Sequence, residues 1–229
     1  MKHSLFAKYK LYGPIQFIYF GIYELFRYLW WQVLNNSFSQ NGEDVIIDKL
    51  LKGKKSGFYV DVGAYDPERF SNTKRFYLKG WKGVNIEPNP DNIYKFYKAR
   101  KRDVNLNVGI GTKEKSFNFY KMFPSTLSTF SKHKAEEYQE EGFALDSISR
   151  IRMTSLSKVF RKYEVKTIDF MSIDTEGYDL DVLKSNDWIK FRPKIVIVET
   201  VNTPGVEKFM VANFYRKAYA NKLNSIFIA

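Results

Sequence analysis

Residues 57–67 read Gly-Phe-Tyr-Val-Asp-Val-Gly-Ala-Tyr-Asp-Pro, and the reading of this stretch decides the fold. Phe58, Tyr59, Val60 and Val62 form a short, β-favouring apolar run that breaks at Asp61 and Gly63, before a proline-containing loop and a helical pattern. The order is strand, turn, helix. In an open parallel sheet, ligands bind at the carboxyl ends of the strands. A glycine there lets a ligand approach the backbone, and an aspartate offers a carboxylate to polar or cationic groups.

Two later stretches fit the same frame. Trp81 to Pro88 reads as a second strand closed by Glu87, and Ile168 to Gly177 as another closed by Asp174. An acid about 20 residues beyond the first turn is the usual partner of ribose hydroxyls in a nucleotide-like cofactor. Glu87 lies 26 residues beyond Asp61. A dinucleotide site needs Gly-x-Gly-x-x-Gly so that backbone closes on a pyrophosphate. This chain keeps one glycine and adds an acid, which suits a ligand with ribose, adenine and a positive tail but no phosphates: S-adenosylmethionine.

The chain has 229 residues, enough to bury one substantial core. It has no cysteine, which excludes disulfides and thiolate zinc sites and permits, without showing, a reducing compartment; the expected location is cytoplasmic, with the membrane periphery as the alternative. The net charge is +12, with nine basic and two acidic residues between Lys74 and Arg102. Such a surface attracts nucleic acid, anionic lipid or acidic glycans, or is simply a solvated face.

Residues 1–37 are expected to be an aromatic amphipathic helical segment ahead of a domain at 38–229. Ile15, Ile18, Ile22, Phe26 and Leu29 share one helical face, with Glu24 and Arg27 broadly opposite. Each charge at mid-bilayer costs about 2.5–3.5 kcal/mol, so the segment reads as a packed lid or as an interfacial helix on an anionic membrane, not as a span. Phe38–Leu51 reads as a helix capped near Asn41, with Gln40 and Glu43 at its start. Ser71–Lys79 reads as a helix capped by Ser71 or Asn72, and Pro90–Arg100 as a helix begun by proline.

Asp103–Val108 reads as a third strand, and Ser116–Lys121 and Arg150–Leu156 as short antiparallel additions. Pro124–Gly142 reads as an irregular polar insert that, with the N-terminal helix, is expected to build the acceptor pocket, Ser157–Tyr163 as a helix and Ile168–Ile173 as the fourth strand. Leu180–Trp188 reads as a helix, Pro193–Glu199 as a buried strand, Val206–Ala220 as a last long helix, and Asn224–Ile228 as a final strand. Strands alternating with helices imply one doubly wound α/β domain with a mostly parallel sheet.

Taken together, Phe38-Ser-Gln-x-Gly-Glu-Asp44, Val60-Asp-Val-Gly-Ala64, Ser71-Asn-Thr73, Gly80-Trp-x-Gly83, Glu87-Pro-x-Pro90 and Ile173-Asp-x-Glu-Gly177 resemble the FkbM-type S-adenosylmethionine-dependent methyltransferases, from about Phe38 to the C-terminus. The resemblance implies a Rossmann-like class I methyltransferase fold, with a seven-stranded sheet and helices on both faces. It also implies methyl transfer to a hydroxyl oxygen of a sugar, in a surface glycan or its precursor, or of a secondary metabolite. By the same resemblance, Asp61, Gly63 and Ala64 would underlie the methionine part of the cofactor, Glu87 would hold the ribose, and Asn107 with Val108 would border the adenine. Gln40, Glu43, Ser71 and Asn72 would line the rim. Where the family pattern would place a histidine before the loop proline, this chain has Asp66.

A sugar hydroxyl must lose its proton, and a positioned base contributes about 10²–10⁴-fold. Asp174 and Glu176 are the expected catalytic pair; the bland alternative is a helix cap and a first-turn acid. His133, in the polar insert, is a secondary candidate. Asp66 is either a loop-stabilising Asx residue or a ligand to a divalent cation. Alternatives in function are a nucleic-acid methyltransferase and a non-catalytic membrane-surface module. A flipped-base motif of the Asn-Pro-Pro-Tyr type is absent, which weighs against nucleic acid.

Overall fold

The computed structural model describes residues 29–200 and 205–229. The amphipathic segment assigned to residues 1–37 therefore lies mostly outside the described residues; within it, Leu29–Leu34 forms a short π-helix. No helix among the described residues is long and apolar enough to cross a membrane.

The first strand, β1 (Phe58–Val62), is the centre of a seven-stranded sheet. It pairs in parallel with β2 (Lys82–Ile86) on one side and with β7 (Phe170–Ile173) on the other. β3 (Val104–Leu106) continues the parallel order beyond β2, and β8 (Ile195–Glu199) beyond β7. The antiparallel hairpin of β9 (Arg216–Ala220) and β10 (Asn224–Ile228) closes the far edge, giving the order β3-β2-β1-β7-β8-β10-β9. The order in which strands are added reverses between β1 and β7, the switch point where an open α/β sheet takes its ligand.

Alternation along the strands builds two cores. Val60, Val62, Val84, Ile86, Met171, Ile173, Val196 and Val198 face helices α5 (Leu156–Lys162), α6 (Asp179–Lys184) and α7 (Val206–Ala212), through Phe160, Leu183 and Met210. Tyr59, Phe170, Ile195 and Ile197 face the other way, against Ile47 of α1 (Glu43–Leu50) and Phe76 of α2 (Lys74–Leu78), with Trp81 beside them. Helix α3 (Pro90–Ala99) begins with Pro90 at its first turn and is capped by the Asn89 side chain, which accepts from the Asp91 N–H.

Several sequence expectations change. The predicted helix over 206–220 ends at Ala212: Phe214 takes a left-handed backbone (φ 62°), and Arg216–Ala220 becomes the edge strand β9. Hydrogen bonding along β10 outweighs the helical preference of those five residues, four of which are good helix formers. The third strand is cut at Leu106. Gly109–Ile110 leaves the main sheet as β4 and joins β5 (Ser116–Phe123) and β6 (Ala144–Thr154) in a second sheet of order β4-β6-β5. β6 is longer than predicted, and Leu156 opens α5 instead of ending the strand. The insert at 124–142 is not irregular but holds a helix, α4 (Lys132–Glu140), capped by Ser131. α1 starts after Gly42 in a left-handed conformation and has no side-chain cap, so Asn41 is not its cap. The predicted helix over 180–188 is shifted and short, ending at Lys184.

Candidate active site

A cleft of about 1100 Å³, including its open mouth, lies over the carboxyl ends of β1, β2 and β7 and beneath the 124–142 insert. Its floor is the turn after β1. Gly63 has φ +77°, and a Cβ added there would stand 1.7 Å from the carbonyl oxygen of Asp174, so no other residue fits. The Gly63 N–H donates to the Ile86 carbonyl and the Asp174 N–H to the Val62 carbonyl, which stitches the three strand ends together.

Asp61 and Glu87 stand on either side of that turn, each 5% exposed. Asp61 accepts from the Thr73 hydroxyl at 2.8 Å. Burial pushes its carboxyl up to about 6, against the pull of Thr73 and of the Arg100 guanidinium. Glu87 accepts from the Tyr65 and Asn89 N–H groups at 2.9 and 2.7 Å, and burial pushes it up to about 7. The N–H groups fix its direction at the end of β2.

The third acidic corner follows β7. Asp174 is open to the cleft, yet recession among protein atoms, followed by the carboxylates Glu199, Asp179, Asp61 and Glu43, raises its pKa. Glu176 adopts a left-handed backbone (φ 50°). Its carboxylate accepts from the Tyr138 hydroxyl, and its carbonyl accepts from Thr129 Oγ1 at 2.8 Å. Burial first, and Asp174 second, push Glu176 up to about 8, while the Tyr138 hydrogen bond pulls it down. Burial and Glu176 likewise bring Glu199 up to about 8. The bland alternative for Asp174, a helix cap, is not realised: α6 starts after Tyr178 without a side-chain cap, and the Asp179 carboxylate accepts from Thr175 N–H and Oγ1 and from the Gly177 N–H, holding the loop that carries Asp174 and Glu176.

Of the residues singled out from sequence, Gln40, Glu43, Asp61, Gly63, Ala64, Asn72, Glu87, Val108, Asp174 and Glu176 line this cleft. Ser71 does not: it is buried, its hydroxyl accepting from the Lys74 N–H and from Arg100 Nη2, a cap-like and loop-holding position. Asn107 turns away as well, donating to the carbonyls of Glu87 and Pro88 and so fixing the end of β2. Glu43 reaches the cleft wall while accepting from the side chains of Asn41, Asn221 and Asn224, which ties α1 to the β9–β10 hairpin. Asn72 donates to Ser172 Oγ at 3.0 Å across the floor.

His133 points outward, its side chain 83% exposed and 3.3 Å from Glu137. Asp66 makes an Asx turn with the Glu68 and Arg69 N–H groups and pairs with Lys95 at 2.9 Å. Partial burial alone would raise the Asp66 carboxyl, but Lys95 and the two N–H groups together hold it below the usual range. Among the described residues, no group of three or more His, Asp or Glu side chains is arranged to hold a metal ion.

Sequence reasoning missed what the insert supplies. Tyr138 projects from α4 onto Glu176, and Ser125, Thr126, Ser128, Thr129 and Phe130 roof the cleft, with the Phe130 ring packed at a tilt between Phe119 and Tyr178. The one signal available was the Ser131 cap followed by Ala135 and Tyr138 at helical spacing.

The lining suits S-adenosylmethionine. One close-approach glycine, three carboxylate corners and no glycine-rich loop for phosphate match a positively charged ligand with a ribose.

A family model described as the methyltransferase FkbM domain matches residues 61–218. Among curated proteins none matches the chain. Among solved structures, the METTL16 MTase domain aligns at 9% identity and a TM-score of 0.47, covering 81% of this chain and 65% of that one. TrmK of M. capricolum, solved with S-adenosylhomocysteine, aligns at 14% identity and a TM-score of 0.40, covering 80% and 66%. A precorrin-6y C5,15-methyltransferase from Geobacter metallireducens aligns at 12% identity and a TM-score of 0.42, covering 82% and 85%. The chain thus spans slightly less than two thirds of the first two structures.

Proposed function

The chain belongs to the FkbM methyltransferase family, and from that premise we propose that it methylates a hydroxyl oxygen of a sugar, in a surface glycan or its precursor, or of a secondary metabolite, with S-adenosylmethionine as donor. The observation that carries this reading is Glu176, a carboxyl raised to about 8 and held by Tyr138 at the cleft that Gly63 and Glu87 also line.

Bound there, the cofactor's sulfonium supplies a methyl group already activated for displacement. The protein's share is positioning and proton removal. Gly63 and Ala64 offer backbone for close approach, with Asp61 beside them. Glu87, aimed by two N–H groups, would accept hydrogen bonds from ribose hydroxyls. Val108 lines the cleft where it would border the adenine, and Asn107 holds the Glu87–Pro88 backbone beside it.

Glu176 takes the proton of the acceptor hydroxyl. Its raised pKa makes it a stronger base than an ordinary carboxylate, and Tyr138 keeps its reactive oxygen in place. Asp174, beside it, raises the Glu176 pKa further, and a cationic ligand would favour the charged form of both. Phe119 and Phe130 narrow the cleft and exclude water.

Calorimetric titration with S-adenosylhomocysteine tests the cofactor part. Saturable binding is expected, weakened at least tenfold in Glu87→Ala, because two or more hydrogen bonds to a charged group are lost, each about 1.5–3 kcal/mol. Unchanged affinity in the variant removes Glu87 from the site, and no binding by folded wild type favours the non-catalytic alternative. Transfer of labelled methyl from S-adenosylmethionine to neutral and nucleotide-linked sugars, compared with RNA and DNA, tests the acceptor. The charge of +12 speaks for nucleic acid. Against it, the cleft presents Glu43, Asp61, Glu87, Asp174 and Glu176, which repel phosphates. Label appearing on nucleic acid alone would sink the sugar reading.

A further inference from the structure

We infer that the amino edge of the central sheet, opposite the cleft, docks on an anionic lipid bilayer, with Ile189 and Phe214 entering the headgroup layer. The inference is independent of which acceptor is methylated.

The two ends of the sheet differ in charge. The carboxyl end carries the acidic cleft. At the opposite end lie the segments that lead into the strands, and these are basic: Lys54 and Lys55 precede β1, Lys101 precedes β3, Lys166 precedes β7, Lys190 precedes β8 and Arg216 opens β9, all exposed. Acids at this edge are few and largely engaged. Asp169 is buried and bridged by Lys54 and Lys194, each at 2.7 Å. Asp103 is bonded to the Tyr59 hydroxyl and the Gly83 N–H. Glu164 is exposed, and Asp187, half-buried two residues before Ile189, accepts from the Lys190 N–H.

Helix C-termini gather basic residues to complement the macrodipole, and that explains those in last turns such as Lys49 and Lys184. It does not explain the basic residues in the loops beyond, nor the two side chains that stand out among them. Ile189 is 97% exposed and Phe214 85%. They belong to adjacent loops, because Arg192 donates to the carbonyls of Asn213 and Phe214 at 2.9 and 3.1 Å. The corner is rigid: next to Ile189, Trp188 packs edge-on against Phe209 and Tyr215 and donates to the Leu183 carbonyl.

Two fully presented apolar tips, held by a firm base and ringed by cations, are complementary to a surface with negative headgroups over hydrocarbon. A dissolved polyanion offers charge but nothing for Ile189 to enter. The bilayer matches both features.

The test is co-sedimentation of the full chain with vesicles of phosphatidylcholine containing 30 mol% phosphatidylserine, against phosphatidylcholine alone. Binding is expected only to the anionic vesicles and should fall with added salt. The double variant Ile189→Ser, Phe214→Ser should bind at least tenfold more weakly while titrating S-adenosylhomocysteine like the wild type. Lys190→Glu, at an exposed side chain whose ammonium lies over the Phe191 ring, should weaken vesicle binding without touching the apolar tips. Absence of binding to anionic vesicles overturns the proposal, as does binding that both variants leave unchanged, which would put the contact elsewhere in the chain. Binding to heparin or DNA but not to vesicles would assign the edge to a soluble polyanion and equally overturn it.

Discussion

As the proposed base, Glu176 carries the strongest chemical demand on this site, and its surroundings set how well it meets that demand. Burial and Asp174 make it a better base, and Tyr138 moderates both. Glu176→Gln is expected to lower kcat by about 10²–10³-fold, with S-adenosylhomocysteine affinity within twofold of wild type, since a positioned base contributes about that much. Tyr138→Phe separates positioning from chemistry. The wild-type rate should rise with pH as Glu176 deprotonates, with its midpoint near the value of about 8 to which the group is pushed. The tyrosine hydroxyl stabilises the carboxylate form, so its removal should move that midpoint to higher pH and lower kcat less than Glu176→Gln does. A pH–rate profile of kcat unmoved in Tyr138→Phe would place the base elsewhere. Asp174 and Glu176 were legible because they follow a β-favouring run that ends at a glycine. Tyr138 was not, since a tyrosine in a polar segment looks like any other until packing turns it onto a carboxylate 38 residues away.

At the scale of elements, the piece that completes the cleft is also lightly held. α4 has nine residues, of which only Ala135 and Tyr138 are buried, packed against Met122. A helix this short depends on its cap and on docking, not on propensity. Ser131→Ala removes the cap that receives the Lys134 N–H and should destabilise the helix by about 1 kcal/mol. The expected result is faster amide hydrogen exchange over 132–140 and an acceptor KM raised several-fold, with cofactor affinity unchanged. Unaltered exchange would show that the second sheet, not the cap, holds the roof. The same weakness hid this helix in the sequence. Two buried positions in nine make too faint a period to stand out from a charged loop. The reverse error befell residues 213–220, whose strand exists through its pairing with β10.

For the whole molecule, the acids gathered at one end of the sheet link stability to pH. Burial raises Asp61 to about 6, Glu87 to about 7 and Glu176 to about 8. Between the ordinary carboxylate range and those values the native state holds more protons than the unfolded chain, so stability falls as pH rises. The ligand-free protein is therefore expected to melt at a lower temperature at pH 8.5 than at pH 5.5, measured at 0.15 M salt to screen the self-repulsion of a +12 chain. S-adenosylmethionine, bringing positive charge to these carboxylates, should narrow the difference. A melting temperature that climbs over that interval would mean the acids are solvated or paired. The amino-acid sequence by itself determined the strand–turn–helix at 58–78, the parallel sheet, the glycine that must be glycine at 63 and the acids after β1, β2 and β7. These follow from local residue preference and from the rule that strand ends in such sheets meet. Only the tertiary structure decided how residues 124–142 fold over the cleft, that Tyr138 holds Glu176, that Ser71 and Asn107 brace the loops instead of lining the site, and that charge divides between the two edges. Each of those depends on contacts between residues far apart in the chain, where burial and hydrogen bonding override what any local stretch prefers.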